Sequence, residues 1–420
     1  MVYFERYPAD PAIELVFTPE FKISQFIKIE TTWLKYLGLG LTDKNIEDAY
    51  STEISVDEFI EKEKETNHDI AALVKCFVKN LGNNPAAKYV HLGLTSNDIN
   101  DTVLGLQTLV INDTIAKKLD DLRSILHTKT WMYSKSMCCG RTHGQVATGM
   151  TVGQRFALWY SDVQDVYYKF HNAISYGKLA GAVGNFSAIK YITKKTDREC
   201  DTLERDALAD IHQRLYPVFS KSQVVSRTIV SDFIYQLVLA ASVCGKICHQ
   251  IRHLSRTEVD EINEEFKDGS VGSSAMPHKK NPVRSERVCG LVKMLQPMIV
   301  TSLMNIDLDN ERDMSNSSSE RVMIENVARL TSFILNETVD IITHMKVNVE
   351  KSRENWETYR DTMLSELRMS KMTLEGTDRQ DAYELSKNGS GGGDFSDDLF
   401  MYLPFGFDPL HVDPCVNPSQ

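Results

Sequence analysis

Between residues 227 and 258 the chain reads RTIVSDFIYQLVLAASVCGKICHQIRHLSRTE. Its apolar residues fall at Val230, Phe233, Ile234, Leu237, Ala241, Cys244, Ile247, Cys248, Ile251 and Leu254. Steps of three and four residues are the period of one helix face. At about 1.5 Å per residue this helix would run to roughly 45 Å, well beyond the usual globular helix. Residues 103–136 repeat the period through Leu106, Leu109, Val110, Leu119, Leu122, Ile125 and Leu126, and residues 322–346 repeat it from Val322 to Met345. The stretch 283–305 is similar but carries Pro297, which lacks an N–H and should kink it. Strand-like alternation is nearly absent. Helices this long must bury wide apolar faces against several neighbours. The expectation is an all-α fold, a long-helix bundle that also associates through the bundle.

The flanks differ from this centre. Residues 1–94 hold shorter patterns, among them SVDEFIEKEKE, a helix with a charged face, and after about residue 346 the helices shorten again. The expected division is an N-terminal helical domain (1–94), a central bundle (95–345) and a small C-terminal domain with an extended tail (346–420). NGSGGGDFSDD at 388–398 reads as a flexible break, and PFGFDPLHVDPCVNPSQ, with four prolines and no periodicity, as the tail.

Composition narrows the partners. With 42% hydrophobic and 25% charged residues the chain is an ordinary globular one, and a net charge of −11 argues against nucleic acid. An anionic small substrate stays open if cations gather at one site. Charges early in MVYFERYPADPAIELVF argue against a signal peptide. Polar residues break the apolar runs short of about 20, so no membrane span is expected. Eight cysteines without a framework read as free thiols of a cytoplasmic protein, with Cys138 and Cys139 as packed thiols. Cys244, Cys248, His249 and His253 invite a zinc reading. The two pairs point in different directions, however, and one straight helix cannot supply four tetrahedral ligands. No metal site is expected there.

Several polar segments stand apart from the helices. HLGLTSNDINDT (91–102) puts Thr95, Ser96, Asn97 and Asp98 just before a long helix, where such residues cap free N–H groups. TNHDIAALV places His68 and Asp69 at a helix start in the same way, and RTHGQVATG gathers Arg141, Thr142, His143 and Gln145 beside a glycine. LAGAVGN (179–185) lacks the lysine of a phosphate loop and reads as a tight turn or a close backbone approach. The most informative run is GSSAMPHKKNP at 272–282. Glycines permit a mobile loop, and Lys279 and Lys280 supply charge that would stabilise a serine alkoxide or hold substrate carboxylates. Loop closure would exclude water and strengthen both effects.

GSSAMPHKKNP closely resembles the signature loop of the fumarase/aspartase superfamily, whose members release fumarate from succinyl groups. ERYP at 5–8, NHD at 67–69, LTSND at 94–98, RTHGQ at 141–145, SQVVSR at 222–227, NPVRSER at 281–287 and ERDMSNSSSER at 311–321 look like the adenylosuccinate lyase family, over about residues 1–380. The resemblance implies three mostly helical domains and a homotetramer whose active sites each take segments from three subunits. It implies no cofactor, no metal, no membrane, and nucleotide substrates that release AMP or AICAR together with fumarate. By position, Ser273 matches the general base and His143 the general acid. His68 matches a second histidine that orients substrate, with Asn67 and Asp69 beside it. Arg6 and Tyr7 match residues at the nucleotide phosphate. Thr95, Ser96 and Thr142 match groups on a succinyl carboxylate, with Gln223, Ser274, Lys279 and Asn281 lining the same pocket. Arg287, Arg312, Ser317 and Arg321 match the phosphate and nucleoside end.

Overall fold

The computed structural model describes residues 6–265, 276 and 279–387. The glycine-rich break and the tail lie outside them, as do Ser273, Ser274 and His278. Two compact units emerge. One takes residues up to 117, 168–241 and 293–334, and the other takes 118–167, 242–292 and those from 335 on.

The fold is all-α in class, and the expected long helices are present. Ser96–Met132, Arg227–Leu254 and Ser315–His344 have 37, 28 and 30 residues, and each contributes residues to both units. Pro297 divides what would be a fourth: Val283–Leu295 ends before it, and Met298–Met304 begins just after it. Helix Arg227–Leu254 is long and apolar enough to cross a bilayer, yet Ile234, Leu237, Ala241, Cys244, Cys248 and Ile251 are fully buried within the protein. Packing against other helices accounts for its hydropathy. Cys244 and Cys248 lie on this buried face, where burial pushes the Cys244 thiol up to about 12, while His249 and His253 sit on the exposed edge.

In the first unit, helix Pro19–Tyr36 starts with Thr18 capping the Phe21 N–H and Pro19 at its first position. It buries Phe26, Ile29 and Trp33 completely. Phe26 meets Phe77 of helix Asp69–Leu81 edge-on at 5.8 Å, and both join a core that includes Ile99, Leu179 and Leu208. That core fixes the start of helix Asp69–Leu81 and of helix Ser96–Met132, where the candidate site lies.

The second unit contains a feature that the sequence reading did not anticipate. Strands Met137–Thr142 and Gln145–Thr151 form an antiparallel hairpin, one of three two-stranded ribbons among the described residues. Alternation fails because the register shifts between Cys139 and Arg141, and two successive residues, Cys138 and Cys139, are both fully buried. Cys139 packs with Trp356, Met363 and Leu364, and burial raises its thiol to about 11. Both cysteines are packed thiols.

Candidate active site

In the first unit the opening turns of helix Ser96–Met132 act as a hub. Ser96 Oγ lies 3.3 Å from His68 Nε2. His68 caps helix Asp69–Leu81 through Nδ1, which accepts the Ala71 N–H at 3.3 Å. The same Nδ1 also lies 3.4 Å from Asp69 Oδ1. Asn97 takes a hydrogen bond from Arg312. Asp98 accepts the Thr95 N–H at 2.7 Å, which is a capping contact, and it also pairs with Lys178. Asp101 accepts the Val225 N–H at 2.7 Å and pairs with Arg227 at 2.9 Å. Four positions on one helix thereby hold four other segments of the unit.

Asp69 is buried and lies 2.6 Å from Lys22 and 3.9 Å from Arg321. Burial pushes its carboxyl up, but Lys22, the Ile70 N–H and Arg321 outweigh that and hold it below the usual carboxylate range. Asn67 sits just before, in the left-handed region (φ 49°) that ends helix Val56–Thr66, a conformation asparagine tolerates. Gln223 Nε2 donates to the Ala182 carbonyl at 3.0 Å. That carbonyl belongs to the LAGAVGN turn, where Gly181 and Gly184 have φ of 81° and 74°. A Cβ on Gly184 would lie 2.6 Å from Ser222 O, so the segment is a close backbone approach. Arg6 is exposed, the Tyr7 ring meets Phe333 edge-on at 5.2 Å, and Ser317 lies in the first turn of helix Ser315–His344.

In the second unit His143 stands at the tip of the hairpin. Thr142 pairs with Gln145, and the two residues between them, His143 and Gly144, have φ of 52° and 77°. A two-residue turn with both φ positive matches strand twist, and it presents the exposed imidazole at the end of a rigid ribbon. The ribbon is held close behind its tip by Arg141, whose guanidinium pairs at 2.9 Å with the buried Glu261. Lys279 is exposed, and its N–H turns back to the Met276 carbonyl at 3.1 Å. Asn281 is half-buried just before helix Val283–Leu295. Glu264 accepts the Ser285 and Arg284 N–H groups at 2.5 and 3.2 Å. A carboxylate just before the signature loop therefore caps the helix just after it. Arg287 is paired with Glu337 at 3.1 Å, and Glu337 also takes a two-pronged contact from Arg284 at 2.9 and 3.0 Å.

The sequence reading passed over His91, Glu30, Lys22 and Lys178. The signals were a histidine next to LTSND and a lysine inside the otherwise apolar run SYGKLAGAVGN. His91 has φ 62°, and both its N–H (2.8 Å) and its ring (2.7 Å) bond to Glu30, which is fully buried. Burial lowers the His91 pKa, but the Glu30 carboxylate more than reverses this, and the net shift is upward from 6.5. A raised folded-state pKa means stability that is full below 6.5 and lost as pH rises through the folded value. The Tm difference between wild type and His91→Gln should therefore shrink from about pH 5.5 to about pH 8.5. A difference that stays constant across that range would contradict the assignment.

A family model described as a lyase matches residues 42–295. The adenylosuccinate lyase of Pyrococcus horikoshii is 36% identical over 77% of this chain and 70% of its own length. That of Synechocystis sp. is 31% identical over 91% of this chain and 86% of its own, and that of Methanocaldococcus jannaschii 32% over 89% and 81%. Two solved structures share the fold. The 3-carboxy-cis,cis-muconate lactonizing enzyme of Pseudomonas putida has a TM-score of 0.79 at 23% identity, covering 92% of this chain and 86% of that one. A fumarate lyase of Mesorhizobium sp. BNC1 has a TM-score of 0.77 at 20% identity, covering 91% and 86%. Matched over more than half its length by the lyase model, and above 30% identical to these relatives along most of both chains, the chain belongs to the adenylosuccinate lyase family.

Proposed function

We propose that the chain cleaves adenylosuccinate to AMP and fumarate, and succinylaminoimidazole carboxamide ribotide to AICAR and fumarate. The observation that carries this is the shared identity with adenylosuccinate lyases over most of both chains. The reaction is a non-hydrolytic elimination. Ser273 removes the proton from the succinyl Cβ, the resulting carbanion spreads into the adjacent carboxylate, the C–N bond breaks, and His143 hands a proton to the leaving nitrogen. Lys279 and Lys280 supply the charge that stabilises the Ser273 alkoxide, so that it is available as the base, and they add to the hold on the carboxylates. Thr95, Ser96, Thr142, Gln223, Ser274 and Asn281 bind the succinyl end. Arg6, Tyr7, Arg287, Arg312, Ser317 and Arg321 bind the phosphate and nucleoside end. Asn67, His68 and Asp69 orient the substrate.

The working unit in this reading is a cytoplasmic homotetramer of three-domain subunits (1–94, 95–345 and 346–420) with active sites shared between subunits. Two features support it. His143 sits on an exposed hairpin tip, suited to meet groups of another subunit. Met294, Val300, Leu303, Met304, Met314 and Val322 are large apolar side chains exposed on the isolated chain, and Val300, Leu303 and Met304 fall on one face of helix Met298–Met304 by spacing.

Ultraviolet absorbance of purified protein with adenylosuccinate, argininosuccinate or a carboxymuconate tests the proposal. Turnover of adenylosuccinate alone is expected. Turnover of one of the others instead would assign a sister activity, and none at all would leave a silent scaffold.

A further inference from the structure

Asp98 and Lys178 are both fully buried, with Oδ1 and Nζ 2.5 Å apart, and neither has a part in the elimination. A buried ion pair seldom outperforms apolar residues of equal volume, so stability alone is a weak reason for this one. Its other contacts supply a better reason. Asp98 Oδ2 accepts the N–H of Thr95 at 2.7 Å and of Gly181 at 3.2 Å, and Oδ1 accepts that of Ala180 at 2.9 Å. Lys178 Nζ also donates to Gly181 O at 3.1 Å. The Lys178 N–H donates to the Thr102 hydroxyl, and that hydroxyl lies 3.1 Å from the Lys178 carbonyl oxygen as well. One carboxylate thus fixes the backbone at Thr95, beside Ser96, together with the 180–181 turn. The next residue of that turn, Ala182, holds Gln223 through its carbonyl.

We infer that the Asp98–Lys178 pair is a positioning device for the succinyl-carboxylate site. Asp98 clamps the segment that carries Thr95 and Ser96 to the 180–181 turn, and the next residue of that turn, Ala182, holds Gln223. Lys178 cancels the charge of Asp98, so a carboxylate clamp can sit behind a site that must attract a carboxylate. The identity of the ligand rests on the proposed function, whereas the clamp itself rests only on these contacts. Asparagine cannot stand in for Asp98. Its single acceptor oxygen can serve Thr95 or the turn, and its NH2 group would face N–H donors on the other side.

The test compares wild type with Lys178→Met and with the double variant Asp98→Asn/Lys178→Met. Lys178→Met leaves a lone buried carboxyl, and Tm should drop by about 10 °C. That carboxyl either stays charged and repels substrate or takes up a proton and loses an acceptor. In both cases KM for adenylosuccinate rises by about tenfold. The double variant removes both charges, so most of the Tm returns. Hydrogen exchange at the Thr95, Ala180 and Gly181 amides should still be at least about tenfold faster than in wild type. KM should stay about tenfold raised, with kcat changed less than about threefold. Recovery of KM and amide protection along with Tm would mean an ordinary structural salt bridge and would overturn the inference. Should the double variant fail to fold, an unchanged KM in Lys178→Met would overturn it equally. A wild-type protein without turnover would sink the functional reading instead, and the exchange measurement would still decide the clamp.

Discussion

Replacing His143 with alanine is expected to lower kcat by about 10²–10⁴-fold while fold and assembly survive. The leaving nitrogen cannot depart as an anion, so it needs a proton as the C–N bond breaks, and imidazole has a pKa close to working pH. The hairpin supplies the geometry, with the ring at a two-residue turn stiffened by Arg141 and Glu261 below it. Alanine at φ 52° adds backbone strain of about 1–2 kcal/mol, a confounding effect. His143→Asn removes it, because asparagine accepts left-handed backbone. Both variants should lose turnover alike, with unchanged circular dichroism and sizing. Substantial activity in His143→Asn would show that the proton comes from elsewhere.

Ser273→Ala should lose at least as much, roughly 10³–10⁴-fold in kcat, because abstracting a proton from carbon is the harder half of the reaction. The affinity for adenylosuccinate, measured by calorimetry on this non-turning variant, should change little. In the proposed reading the carboxylate and phosphate contacts belong to other residues. Loss of binding together with rate would mean that Ser273 holds substrate rather than taking its proton. Near-normal kcat would remove it from the mechanism.

The fold was legible where one physical rule dominates. Helices Ser96–Met132, Arg227–Leu254 and Ser315–His344 announced themselves because their apolar residues keep a 3.6-residue period over many turns. The 137–151 hairpin did not, because its bulge destroys the period of two over so short a run. The LAGAVGN turn was legible from its glycines, whose positive φ values and crowded backbone leave no room for side chains. At the site, His68 and Ser96 were found by motif, and they meet at 3.3 Å. What holds them was not visible. Asp98 and Lys178 are 80 positions apart, as are several pairings of the hub at similar or greater separations, and no local spacing rule links such residues. Asp98 looked like a helix cap because it is one. That it also grips a second segment is a property of the folded chain.

The central claim is that a serine at 273 and an imidazole at 143 divide one elimination between them, in sites assembled from more than one subunit. Mixing the inactive Ser273→Ala and His143→Ala proteins, under conditions where labelled subunits demonstrably exchange, measures this most directly. Fumarate release from adenylosuccinate should reappear in the mixture although neither parent shows it. Exchange without any recovery of activity would contradict the account.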